Sequence, residues 1–177
     1  MVQVTIISEG AKELRTGFGV LFRNIFKNHK IKILQLGPKA EAIKRFKKRS
    51  GMTAGNFILL IDLDAPITKK EQQLAGMSLS SFKEDVFFMV QEMEAWFLSQ
   101  PEVLTDHWGE DLFGAYRNKD AMIINNPAAE LQRITKRSRH GTYHKISDGS
   151  ILLGMIDPER LEVDFPDFKE LAKRIKG

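Results

Sequence analysis

The chain contains no cysteine. Disulfides, zinc–thiolate centres and thiol nucleophiles are thereby excluded together. Its hydrophobic runs are short, and none approaches the ~20 residues needed to cross a bilayer. Met1 to Ile7 is apolar, but no basic residues precede it and Glu9 follows at once. That segment reads as a strand and not as a secretory leader. A cytoplasmic protein with no membrane contact is the expectation. Three common signatures are also missing. There is no Gly-x-x-x-x-Gly-Lys-Ser/Thr phosphate loop, and Gly17-Phe18-Gly19 sits inside a helical pattern without the dinucleotide-binding context. No Gly-x-Ser-x-Gly nucleophile elbow occurs.

What is present suits one domain. With 177 residues, a chain can bury roughly 70% of the surface it exposes when unfolded. It needs no covalent staple. The expected organisation is a single unit over 1–177, with an α/β core over 1–100 and a helical C-terminal extension over 101–177. The net charge is +4, and the positive residues are clustered. Lys39, Lys44, Arg45, Lys47, Lys48 and Arg49 crowd one segment. Arg133, Lys136, Arg137, Arg139, His140, His144 and Lys145 crowd another. Such clusters suit a polyanion, because each neutralised phosphate releases counterions; otherwise they are solvated helix faces.

Periodicity divides the chain in two. Val2–Ile7, Ile31–Leu36, Asn56–Leu63 and Asp85–Val90 read as strands, and the last two are continuously apolar. Continuous apolarity marks strands covered on both faces, as in a parallel sheet. Helical spacing over Lys12–Asn28, with Leu14, Phe18, Leu21, Phe22, Ile25 and Phe26, predicts a helix that Gly17 and Gly19 weaken. A basic helix over Lys39–Ser50 follows, and Lys69–Gln73 is a loop or a helix start. Glu92–Leu98 turns helical and Pro101 opens another short helix. Beyond them come a helix from Asn126-Pro127 to about Arg137, a polar loop over Ser138–Thr142, and short helices over Asp148–Met155, Pro158–Leu161 and Pro166–Lys176. Alternating strands and helices imply a parallel sheet, and the back half reads as its cover.

Three acids attract attention. Asp62 and Asp64 end the third strand and, by strand alternation, share a side. Glu9 ends the first strand. In a parallel sheet the carboxyl ends of all strands lie along one edge, where sites form. If the first and third strands are neighbours, the three carboxylates converge. Clustered carboxylates require a cation or a proton, and hard oxygen donors favour Mg²⁺ or Mn²⁺. The alternative is that these acids merely end strands and cap helices.

The segments Val4-Thr5-Ile6-Ile7-Ser8-Glu9-Gly10 and Leu59-Leu60-Ile61-Asp62-Leu63-Asp64 resemble the Toprim domain of topoisomerases, primases and related nucleases. The stretch Phe88-Met89-Val90-Gln91-Glu92-Met93-Glu94-Ala95-Trp96-Phe97-Leu98 is similar to the signature of a Toprim-like bacterial family, labelled domain of unknown function 4276. So are Asn126-Pro127, Tyr143-His144-Lys145, Ile156-Asp157-Pro158-Glu159-Arg160 and Phe165-Pro166-Asp167-Phe168. The resemblance implies a mostly parallel Toprim-like sheet flanked by helices. It implies Glu9 as general acid/base or metal organiser, and Mg²⁺ on Asp62 and Asp64. A third acid common in Toprim domains is not evident, since Ala65-Pro66 follows Asp64. One metal or two is therefore open.

Other candidates follow. Glu92 and Glu94 are further catalytic candidates; they lie about 200° apart on a helix, so both cannot face one metal, and either one joins the acidic edge or they are helix-start carboxylates favoured by the dipole. Trp96 and Phe97 read as core. Tyr143 and Lys145 suit a stacking ring and a phosphate contact, or else a buried ring and a surface lysine. Lys44, Lys48, Arg137 and Arg139 complete the candidate nucleic-acid contacts. His140 and His144 are four apart, but Gly141 argues against a helical metal pair, so both read as surface or nucleic-acid-facing residues. The expected function is Mg²⁺-dependent hydrolysis of RNA or DNA, in bacterial anti-phage defence and with a companion such as an ATPase; a homodimer is compatible. The competing function is a non-catalytic nucleic-acid- or partner-binding module. A signalling receiver domain fits poorly, because Ser8-Glu9 replaces its acidic pair.

Overall fold

Residues alternate across the sheet as strand geometry requires. On β3 (Asn56–Asp62), Ile58 and Leu60 join one hydrophobic cluster, while Leu59 and Ile61 join the other. On β1 (Gln3–Ser8), Val4 and Ile6 face the first cluster and Ile7 the second. β4 (Val86–Met89) divides likewise, Phe87 and Met89 from Val86 and Phe88. With β2 (Lys30–Gln35), these form a parallel sheet in the order β2-β1-β3-β4. The computed structural model describes residues 3–52 and 55–177; Val2, expected in the first strand, lies outside them.

Helices cover both faces. Leu14, Phe18, Leu21, Phe22 and Phe26, on and beside α1 (Arg15–Ile25), fill the larger cluster. The two expected strand-to-helix segments on the opposite face are α2 (Lys39–Met52), through Ala42 and Phe46, and α3 (Lys70–Gly76), through Leu74. The back half adds α4 (Glu94–Leu98), α5 (Pro101–Trp108), α6 (Pro127–Thr135), α7 (Ser147–Met155), α8 (Pro158–Asp164) and α9 (Pro166–Lys176). All six contribute to the α1-side cluster, which runs from Val4 to Ile175. The fold is therefore α/β, a parallel sheet flanked by helices with a helical C-terminal cover, consistent with a Toprim-like sheet.

Two contacts tie the cover to the sheet. β4 is an edge strand, and edges must be paired or blunted. Asp167, at the start of α9, accepts from the Phe88 N–H at 2.8 Å and from Lys70 at 2.5 Å. Gln100 uses both ends of its amide on Asp157, at 2.9 and 2.7 Å, closing α5 onto the start of α8. Trp96 and Phe97 are fully buried, as expected.

Gly17 has a role that helix propensity hides. A Cβ there would lie 2.4 Å from the Ser150 carbonyl oxygen and 2.8 Å from Leu153 Cβ. Its bareness lets α1 and α7 touch backbone to backbone. Gly19 meets nothing within 4 Å.

The connections set where a site can form. The chain leaves β1 through α1 on one face, and leaves β3 through α3 on the other. Neighbouring strands whose connections depart to opposite faces leave a crevice at their carboxyl ends. That crevice lies between Ser8 and Asp62.

Candidate metal centre

Glu9 and Asp62 meet in this crevice. β1 and β3 are direct neighbours, paired from Val4↔Asn56 to Ser8↔Leu60. One residue beyond β1, the Glu9 carboxylate accepts the Asp62 backbone N–H. Gly10 makes the turn possible. It sits at φ +107, and a Cβ would lie 2.9 Å from Gln35 Nε2, which donates to the Glu9 carbonyl. Gly10 and Gly37 also exchange backbone hydrogen bonds of 2.7 and 2.9 Å, which fixes the loop against the end of β2.

Asp62 follows the parity of Ile58 and Leu60, so its side chain enters the α1-side face. There its Oδ1 accepts from the Met93 N–H at 2.8 Å, just before α4. Glu94, on α4, is completely buried. It is held by the Tyr143 hydroxyl at 3.0 Å and by Lys145 at 3.4 Å. The Lys145 ammonium also lies 3.6 Å from Asp62 Oδ2 and thus bridges the two acids.

Asp64 does not stay in register. It adopts φ +54, and its N–H reaches the Gln91 carbonyl at 2.7 Å. Its carboxylate remains exposed and pairs with Lys39. Lys39 also donates to the Asp62 carbonyl at 2.6 Å and lies 3.9 Å from Glu9. Two ammonium groups are thus threaded among four carboxylates, leaving two formal negative charges.

Burial makes these charges costly. It raises the Glu9 carboxyl, a shift that Lys39 opposes and Asp64 reinforces. It holds Asp62 well above the ordinary carboxylate range despite Lys145, with Glu9 and Glu94 adding to the rise. For Lys145, burial acts downward, but Asp62 and Glu94 outweigh it and raise the ammonium. The Tyr143 phenol is pushed up by burial and by Glu94, so it stays a neutral donor.

The remaining sequence candidates fall in different places. Glu92 turns away, and its carboxylate accepts the Ala128 N–H at 3.0 Å in the first turn of α6. Glu94 is the member of the pair that joins the edge. Tyr143 needs correction as a nucleic-acid contact: it is 2% exposed and its hydroxyl is spent on Glu94, so no base can stack on it. Lys145 points into the acids. Lys44 and Lys48 lie exposed on α2, with Lys48 nine residues, ~14 Å, along the helix from Lys39. Arg137 and Arg139 are exposed on the loop between α6 and α7. Lys39 was missed as a site residue because, in sequence, it is one more cation on a basic helix.

A groove of about 900 Å³ lies elsewhere, beside Asn24, Pro158 and Glu162. That groove lacks the converging buried acids of the sheet edge. No described helix is long and apolar enough to cross a membrane.

Fold and site together define an α/β protein with a carboxylate–lysine crevice at its sheet edge. The sequence profile of the family described as "Domain of unknown function (DUF4276)" matches residues 13–176, and the chain belongs to that family. The match includes Asp62, Asp64, Glu94, Tyr143 and Lys145, and begins after Glu9. No curated protein matches the chain, and no solved structure does either.

Proposed function

We propose that the crevice binds a divalent cation, Mg²⁺ or Mn²⁺, and that the protein is a Toprim-like phosphodiesterase acting on RNA or DNA. The observation that carries this reading is the placement of Glu9, Asp62 and Glu94 about the β1/β3 switch point, Glu9 on the Asp62 N–H and Asp62 and Glu94 on the shared Lys145 ammonium, with four edge carboxylates to two lysines. The donor set fits the ion. It is all oxygen and partly dehydrated, and burial raises the Glu9 and Asp62 carboxyls, a cost that a bound cation would offset.

Asp62 and the exposed Asp64 would hold the metal, with Glu9 beside it. When bound, the cation would polarise a phosphoryl oxygen and lower the pKa of an attacking water. Glu9, raised by burial, is suited to take or return a proton. Glu94 orients Lys145 through the shared ion pair, and Tyr143 fixes Glu94. Lys39 can exchange Asp64 for a substrate phosphate. Exposed Lys44, Lys48, Arg137 and Arg139 would steer the polyanion. A role in anti-phage defence alongside an ATPase companion belongs to the same proposal.

The test is cleavage of labelled RNA and DNA with Mg²⁺ or Mn²⁺. Glu9→Gln is expected to lower turnover by about 10²-fold or more while leaving the melting curve intact. Retained cleavage would rule the mechanism out. One observation favours a second reading, a non-catalytic binding module: Lys39 and Lys145 already pair with all the edge acids. Salt-sensitive nucleic-acid binding without metal-dependent turnover would support that module.

A further inference from the structure

A second set of converging side chains lies apart from the sheet edge. His107, in the last turn of α5, places Nε2 3.0 Å from Asp148 Oδ1. His140, from the loop before α7, places Nε2 3.7 Å from the same oxygen. One ligand atom from each of the three residues lies within 4.8 Å of the others. A tetrahedral zinc ion with bonds of 2.0–2.1 Å needs ligand atoms about 3.3 Å apart. The two imidazole-to-carboxylate separations, 3.0 and 3.7 Å, bracket that spacing, and the two imidazoles lie within 4.8 Å of each other.

A plain hydrogen bond would explain His107 and Asp148, but not His140. The His140 side chain is 45% exposed, so core packing does not demand its position. It nevertheless stands 4.7 Å from the His107 ring centroid and 5.7 Å from that of Trp108. Its loop is built to hold it there. The Trp108 indole donates to the Gly141 carbonyl at 3.1 Å, and Ser138 Oγ bonds the Gly141 N–H and carbonyl at 3.0 and 2.8 Å. The second oxygen of buried Asp148 accepts the His144 N–H at 2.7 Å. That bond aims the first oxygen at the imidazoles, as outer contacts of metal ligands do. His144 itself is not a candidate, because its Nδ1 faces Ser147 at 3.3 Å.

We propose that His107, His140 and Asp148 form a binding site for a transition-metal dication, zinc above all. Two imidazoles and one carboxylate are borderline donors, unlike the all-oxygen edge, and they select Zn²⁺ or Co²⁺ over Mg²⁺. Three protein ligands leave a fourth position for water. The site has a structural consequence. His140 sits on the loop that delivers Tyr143 and Lys145 to Glu94, so an ion there fastens that loop to α5 and α7.

The test uses tag-free full-length protein stripped of metal and titrated with Co²⁺. The expected result is one equivalent bound with intense visible d–d absorption of tetrahedral cobalt, displaced by Zn²⁺, and Zn²⁺ raising the melting temperature. His140→Ala, an exposed substitution that leaves the core intact, should abolish the absorption and the Zn²⁺-dependent rise. Asp62→Asn should leave both unchanged, which separates this site from the sheet edge. A folded wild type that shows only the spectrum of hydrated Co²⁺ would overturn the proposal. So would absorption that survives in His140→Ala, or that disappears in Asp62→Asn.

Discussion

At the scale of single residues, the site is a balance between burial and charge. Asp62 shows it best, because its carboxyl is raised well above the ordinary range by burial, while Lys145 opposes the rise. A carboxyl raised on folding binds its proton more tightly in the folded state than in the unfolded one. Its contribution to stability therefore falls as pH climbs from the ordinary carboxylate range through the raised value. Asp62→Asn mimics the protonated form and keeps an oxygen for the Met93 N–H. In metal-free protein it should raise the melting temperature at pH 7.5 by about 2–4 °C, corresponding to ~1 kcal/mol. The gain should shrink toward pH 4, as paired thermal scans across pH would show. Tyr143→Phe acts in the opposite sense. It removes the 3.0 Å donor from fully buried Glu94 and should cost about 1–3 kcal/mol, measured by urea unfolding.

The same residues show how far sequence could reach. The positions of Glu9 and Asp62 were legible because each ends an apolar run, and the order of a parallel sheet puts such ends on one edge; Asp64, expected beside Asp62 by strand alternation, leaves the register at φ +54 and points to solvent. Glu94 was separable from Glu92 only once α4 had a fixed orientation, since helical spacing said that both could not face one metal without saying which would. Lys39, His107 and Asp148 had no local signal. They reach their partners across 25, 41 and 41 positions, and no spacing rule spans such gaps. The sequence reads Tyr143 as either a stacking ring or a buried one; the structure buries it, and Thr135 Oγ1 accepts its N–H at 2.7 Å.

At the scale of elements, strand parity and helix periodicity placed every strand and most helix cores. Boundaries shifted where the chain turned early. The first helix was expected from Lys12 to Asn28, but it opens with a 3₁₀ turn over Lys12–Leu14 and is α-helical only from Arg15 to Ile25. Propensity alone treated Gly17 and Gly19 alike. Packing separates them. Gly17→Ala should destabilise by about 1–3 kcal/mol, because a backbone carbonyl cannot give way as a side chain would. Gly19→Ala meets nothing and should stabilise by about 0.5–1 kcal/mol through helix propensity. Denaturant melts of the two variants would check the pair, and equal effects would contradict the α1–α7 contact.

At the scale of the whole molecule, the back half does more than cover the sheet. It supplies Tyr143 and Lys145 to an edge whose acids come from the ends of β1 and β3 and from α4, so the site exists only when the α/β core and its cover are folded together. Sequence reading assigned 101–177 to a helical cover, and helices are indeed what it contains. That this cover inserts a tyrosine and a lysine into the crevice could not be read from periodicity, because the residues come from an irregular loop. The central claim is that this shared crevice takes a hard divalent cation. Mg²⁺ titration by calorimetry, on wild type and on the double variant Asp62→Asn/Asp64→Asn, tests it most directly, since Mg²⁺ is a poor match for imidazole ligands. The account predicts saturable Mg²⁺ binding by the wild type and none by the folded double variant. A folded wild type that takes up no Mg²⁺, or a double variant that binds it equally well, would contradict the claim.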